Sequence, residues 1–146
     1  MDVILRDVAF GDLEIFFEHQ IDSVAVEMVG FASRNRNDFE SHWNKILADQ
    51  DVAKKTILFD GQVVGYLVCF ERAGKLEVGY WIGREYWGKG ITSEALPRFL
   101  RHETRRPLHA VVAKHNAASI RVLEKSGFTR AGQDRKEITL TLGAPR

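Results

Sequence analysis

Apolar and polar residues follow two periods along this chain, and the change of period outlines its architecture. Val3 to Arg6 opens as a short strand. Asp12 can accept a first-turn N–H, and Leu13, Ile15, Phe16 and Phe17 then fall at helical spacing. The polar stretch Ser33 to Asp38 reads as a loop, and Asn37 or Asp38 can cap a second helix carrying Phe39, Trp43, Ile46 and Leu47. Three strands follow, Lys55 to Phe59, Gln62 to Glu71 and Lys75 to Ile82, with Asp60-Gly61 and Ala73-Gly74 as antiparallel turns. In the third, Leu76, Val78, Tyr80 and Ile82 point one way and Glu77, Gly79 and Trp81 the other.

The period then lengthens. Ile91, Ala95, Phe99 and Leu100 suit a helix face, within which Pro97 removes one hydrogen bond and predicts a kink or a place near the first turns. Leu108 to Ala113 is a buried strand. Asn116 heads a helix with Ile120 and Leu123 turned inward and Gly127 ending it in a left-handed conformation. Phe128 to Ala131 and Glu137 to Leu142 read as two closing strands. This order predicts a mixed α/β sheet in one domain over residues 1–146.

Composition mainly excludes. Lysine plus arginine number 21 against 20 acidic residues, so nothing in the charge invites a nucleic acid. Arg101 to Arg106 is basic but has no interleaved aromatics, and reads as a solvated helix end. A single cysteine, Cys69, excludes an internal disulfide and a cysteine cluster for zinc, and no metal is expected. No apolar run approaches the roughly 20 residues of a membrane helix, and the start lacks a signal peptide's basic-then-apolar order. The expected location is the cytoplasm.

Chemistry concentrates in Trp87-Gly88-Lys89-Gly90-Ile91-Thr92, between a strand and a helix. Gly88 and Gly90 let the backbone approach a ligand, and the helix start offers unpaired N–H groups and partial positive charge. Such a turn suits a phosphate or pyrophosphate, with Lys89 adding a mobile cation. Gly83 to Lys89 matches G-x-x-x-x-G-K, but Gly90 stands where a triphosphate loop needs Ser or Thr. The dinucleotide pattern fails at Ser93, where its third glycine belongs.

The run EVGYWIGREYWGKGITSEAL and the run NAASIRVLEKSGF resemble the two hallmarks of the GNAT superfamily of acetyltransferases. The similarity is strong from Leu76 to Phe128, weaker over Thr56 to Glu71, and nearest to the branch that acetylates ribosomal-protein N-termini. It implies a mostly antiparallel sheet flanked by helices, with a splayed central strand pair and a bulge at Gly79. It implies acetyl-CoA as co-substrate, its pyrophosphate on Trp87, Gly88, Lys89, Gly90, Ile91 and Thr92. Its pantetheine arm would lie on main-chain groups of Tyr80, Trp81 and Ile82, with Asn116 and Ser119 also touching the coenzyme. Trp87 is typical of the branch, whereas Thr92 is larger than the usual Gly or Ala.

Relatives with a tyrosine as acid carry it where Leu123 stands here, so Ser119 becomes the candidate acid, or else a plain helix-start hydroxyl. Glu77 is the candidate base for the attacking amine, or else an exposed strand carboxylate; His115 and His102 are further titratable options. An N–H of Val78 or a neighbour would meet the oxyanion. The acceptor would be an amine, either a peptide N-terminus or a small molecule, in a pocket expected to include Phe31, Asn35, Phe39 and Lys136. The alternative is a non-catalytic acyl-CoA-binding module. Family members are often dimers, so a homodimer is a further expectation.

Overall fold

The computed structural model describes residues 2–29 and 33–143. Its elements are β1 (Val3–Arg6), α1 (Asp12–Gln20), α2 (Ser23–Val29), α3 (Arg36–Ala48), β2 (Ala53–Phe59), β3 (Gln62–Arg72), β4 (Lys75–Ile82), a 3-10 turn (Arg84–Tyr86), α4 (Ile91–His102), β5 (Leu108–Ala113), α5 (Ala117–Lys125), β6 (Thr129–Gln133) and β7 (Glu137–Leu142). The seven strands form one sheet in the order β1-β2-β3-β4-β5-β7-β6. Every neighbouring pair is antiparallel except β4 and β5.

That exception builds the central opening. β4 and β5 are parallel and share a single register pair, Glu77 with His109. Beyond it the strands separate, so the sheet carries the splayed central pair expected of it.

Each face buries its own core. On one side Val78 and Ile82 of β4 join Ile91, Ala95, Leu96 and Phe99 of α4 and Ile120 and Leu123 of α5. On the other, Val68 of β3 joins Leu13 and Phe16 of α1 and Phe39, Trp43 and Ile46 of α3. Aromatic edges make that second core, with Trp43 lying 4.8 Å from the Tyr66 ring and Phe16 5.0 Å from it. Cys69 is buried, and burial pushes its thiol up to about 11, the state of an inert core residue. No helix among the described residues is long and apolar enough to cross a membrane.

Several local expectations change. Asp12 is the first residue of α1, and Gly11 precedes it without a side-chain cap. The cap of α3 is Asn35, whose Oδ1 accepts the Asp38 N–H at 2.8 Å; neither Asn37 nor Asp38 fills that role. The short helix α2 was not foreseen. α4 runs through Pro97, placed at its seventh position, well past the first turn. β6 runs from Thr129 to Gln133, later than its expected Phe128 to Ala131.

Gly79 is not a bulge: it pairs in unbroken register with Val68. The irregularity lies on β3, where Val63 and Gly65 flank an extra residue opposite Ile57 and Leu58. Gly65 is needed there, because a Cβ would meet the Trp81 carbonyl oxygen at 2.0 Å.

The two hairpin turns have positive φ at both central residues, Asp60 (50°) with Gly61 (83°) and Ala73 (53°) with Gly74 (78°). Ala73 is the poor choice, since its Cβ disfavours this region and asparagine tolerates it better. Ala73→Asn is expected to stabilise the fold by about 0.5–1 kcal/mol, read as a higher urea midpoint at unchanged slope.

Candidate functional site

The opening between β4 and β5 is bounded at one end by the start of α4. Gly90 caps that helix in the left-handed region, φ 77°, and Gly88 has φ 76° with open space where a Cβ would stand. The first bond of the helix is Glu94 N–H to Gly90 C=O, 3.3 Å. The N–H groups of Ile91, Thr92 and Ser93 therefore have no main-chain partner among the described residues. Trp87, Gly88, Lys89 and Gly90 are exposed, whereas the Ile91 side chain is buried in the core and anchors the turn. Trp87 docks against the strand, its Nε1–H donating to the Ile82 carbonyl at 2.9 Å. This is a concave run of backbone donors at a helix mouth, suited to a diphosphate.

Along β4 the main-chain groups alternate in direction. The Gly83 N–H donates to Val64 C=O at 2.9 Å, and the Trp81 carbonyl faces Gly65, both toward β3. Tyr80 and Ile82, one residue out of phase, turn their main chain toward the opening. Trp81 thus offers no main-chain group to that gap, contrary to the expectation for it, and the Ile82 carbonyl already accepts from Trp87.

The side chains of β4 divide between the two faces. Tyr80 packs against the α4 and α5 core and reaches Ser119, with its hydroxyl 2.5 Å from Ser119 Oγ and 3.4 Å from the Ser119 carbonyl. Burial pushes the Tyr80 phenol up to about 12, against the opposing pull of the Ser119 bond. Asn116 caps α5, its Oδ1 accepting the Ser119 N–H at 3.3 Å. Leu123, one turn on, is in the core. A strand tyrosine therefore brings a phenol to the serine that heads α5. Sequence reading had used only the main chain of Tyr80 and had grouped its side chain with Val78 and Ile82; that α5 covers this face comes from the structure.

Glu77 projects to the opposite face, its side chain 16% exposed, with one oxygen 2.8 Å from Arg72 Nη2. It is neither bare nor deeply buried, and Arg72 is a partner that sequence reading missed. Of the other titratable options, His115 Nε2 lies 2.9 Å from the Glu27 carbonyl, tying the β5–α5 loop to α2, and His102 is exposed at the end of α4.

The expected acceptor residues do not converge on this opening. Phe31 lies outside the described residues. Phe39 is core, Asn35 is a cap, and Lys136 is exposed in the β6–β7 turn, its carbonyl accepting from Lys114 N–H. A cleft of 830 Å³ does lie beside α1, lined by Glu18, His19, Asp22, Arg84, Glu85 and Tyr86 among others. Neither Glu77, Tyr80 nor Ser119 lines it, so it is separate from the opening.

A splayed parallel pair, a glycine turn at a helix mouth and a hydroxyl pair on one lip define an acyl-CoA-type transferase fold. The chain belongs to the acetyltransferase (GNAT) domain family, whose model matches residues 2–129. It is similar to the uncharacterized N-acetyltransferase p20 of Bacillus licheniformis, 33% identical over 72 residues, which is 47% of this chain and 40% of that protein. It is similar also to the "putative ribosomal N-acetyltransferase" YdaF of Bacillus subtilis strain 168, 30% identical over 100 residues, 64% of this chain and 55% of that protein. The matches thus span about half the length of these relatives. Among solved structures, spermidine N-acetyltransferase from Vibrio cholerae, in complex with CoA and spermine, shares the fold. It superposes with a TM-score of 0.78 at 17% identity, over 95% of this chain and 92% of that one.

Proposed function

We propose that this chain transfers an acetyl group from acetyl-CoA to a primary amine by direct attack in a ternary complex. The carrying observation is the opening beyond the Glu77–His109 pair, with free helix N–H groups at its mouth and polar side chains on both lips. The diphosphate binds Gly88 to Thr92, and the pantetheine arm runs along the open edge of β4 at Tyr80 and Ile82. Asn116 orders the start of α5 so that Ser119 faces the thioester.

The chemistry then divides by face. The amine nitrogen attacks the thioester carbonyl carbon, the N–C bond forms and the C–S bond breaks. Glu77 takes the proton from the ammonium, directly or through a water, and strand N–H groups stabilise the developing oxyanion. On the other face the Tyr80–Ser119 pair hands a proton to the leaving thiolate. Burial keeps the phenol protonated, so its O–H is present to donate a hydrogen bond to the departing sulfur. Orienting the two substrates supplies much of the remaining barrier reduction.

Thiol release from acetyl-CoA, measured across a panel of amines, tests this. The reading requires turnover with at least one amine. Binding of acetyl-CoA without release on any amine favours the acyl-CoA-binding module instead. Glu77→Gln keeps the shape and removes the base. It is expected to lower kcat by about 10²-fold at neutral pH, with the loss shrinking as rising pH deprotonates the amine in solution.

A further inference from the structure

Acetylating an ammonium takes two protons from one nitrogen. The first must leave before the nitrogen can attack, and that is the proton assigned to Glu77. The second turns acidic as the N–C bond forms, because the nitrogen again carries positive charge, and it must leave for an amide to result. One of the two is made up at the sulfur, which departs as a thiol, and the other goes to solvent. A second proton acceptor beside Glu77 therefore has a use.

The strand register supplies one. His109 of β5 stands directly across from Glu77, in the single pair that joins β4 to β5 before they separate. Such neighbours project to the same face about 5 Å apart. The flanking residues fix which face. Leu108 and Ala110 lie in the core under α4 and α5, as does Val78 beside Glu77, so His109 and Glu77 both turn to the opposite side. Thr141 of β7 pairs with His109 and extends this polar row. The His109 ring is half-buried, makes no hydrogen bond among the described residues, and has neither nitrogen sealed from solvent. Glu77 is the charged group beside it, with Arg72 behind Glu77; α2, which packs on β5, adds Glu27 as its one charged residue. His102 ends α4 and His115 is tied to α2, whereas His109 shares a register pair with the base.

We infer that His109 is the second proton acceptor of the reaction, taking from the attacking nitrogen the proton that Glu77 does not. A nitrogen seated over the gap between β4 and β5 has one strand about 2.5 Å to either side in projection, so a carboxylate and an imidazole flank it. As the N–C bond forms, the unprotonated ring nitrogen takes the proton and the N–H electron pair stays on the substrate nitrogen. The imidazolium then gives the proton to water. Imidazole is the side-chain group that ordinarily takes up and releases a proton near neutral pH. This rests on the acetyltransferase reading above.

The test compares His109→Gln and Glu77→Gln with the unaltered protein. The acceptor is whichever of an alanine-initiated tripeptide amide, an aminoglycoside and spermine is turned over fastest. His109→Gln is expected to lower kcat by about tenfold to hundredfold. Raising the pH frees the amine in solution and shrinks the Glu77→Gln loss. The second proton must still leave, so the His109→Gln loss persists. A side chain that only steadies the strands produces no such contrast. His109→Ala opens room for a free imidazole, and added imidazole is expected to restore much of the lost rate. That rescue is measured as acetylated amine, against potassium chloride at equal ionic strength. Equal thermal stabilisation by acetyl-CoA checks that each variant is folded and binds the donor, and either histidine variant carries the test if the other fails to fold.

Three results overturn the inference while leaving the enzyme assignment intact. They are an unchanged kcat in His109→Gln, a loss that shrinks with pH in step with that of Glu77→Gln, and a His109→Ala protein that responds to imidazole no more than to salt. An unaltered protein that turns over none of the amines overturns both.

Discussion

Asp12→Ala is expected to lower folding stability by about 3 kcal/mol, enough to move the thermal midpoint by several degrees. Asp12 is 4% exposed and ties three elements together. Its carboxylate accepts two bonds from Arg6 at the end of β1, at 2.7 and 2.8 Å. It accepts a third from Ala9 N–H at 2.9 Å and a fourth from the fully buried Thr56 hydroxyl of β2 at 2.7 Å. Removing the carboxylate strands the Thr56 hydroxyl, and unsatisfied buried groups make the larger part of the cost. Arg6 is 36% exposed and can return to water, which keeps the figure at the low end for a broken buried pair. Chemical denaturation of the variant at neutral pH measures it.

The same residue sets part of the acid response. Burial raises the Asp12 carboxyl, but the Arg6, Ala9 and Thr56 bonds outweigh it and hold the group below its ordinary value. The native state thus resists a proton that the unfolded chain accepts near pH 4. The stabilisation is complete above that pH and is lost as pH falls through the lower native value. Asp12→Asn, which keeps the volume, should flatten the stability curve below about pH 4 and leave its shape above pH 5 unaltered. A variant curve parallel to the original across the acid range would remove Asp12 from this role.

Asp12 also shows where sequence reading stops. A residue before an apolar helical stretch is a reasonable cap by type, and its actual partners, Arg6 and Thr56, lie 6 and 44 residues away. No local pattern encodes the second. The hairpins were legible because turn chemistry is local, and the division of β4 into two faces was legible because a strand has period two. The bulge was assigned to Gly79 because glycine in a strand signals one, but only the register shows that the close approach is at Gly65 against Trp81. At the site, the glycine turn and Asn116 stand out by composition and spacing. The Tyr80–Ser119 contact depends on how far β4 and β5 separate and how α5 returns, which are tertiary facts, whereas Glu77–Arg72 lies within one hairpin, five residues apart, and follows from its register.

The largest effect on ligand binding is expected at Gly90. With φ at 77°, any side chain there pays about 1–2 kcal/mol for a left-handed backbone, or else rotates the peptide and turns the N–H groups of Ile91 and Thr92 away from the mouth of α4. A diphosphate bound by those groups forms charge-assisted bonds worth roughly 1.5–3 kcal/mol each. Gly90→Ala should therefore weaken acetyl-CoA about tenfold to hundredfold. In a melting experiment with ligand at a hundred times the original Kd, stabilisation would fall from about 2.7 kcal/mol to as little as ~0.4 kcal/mol. The unliganded variant serves as its own reference, so the fold cost cancels. Lys89→Ala makes the contrast: an exposed lysine adds a screened charge, so its loss should be several times smaller and should vanish at high salt. If Gly90→Ala melts with the full acetyl-CoA shift while Lys89→Ala loses it, the anchor is the side-chain cation and the backbone turn is only a spacer.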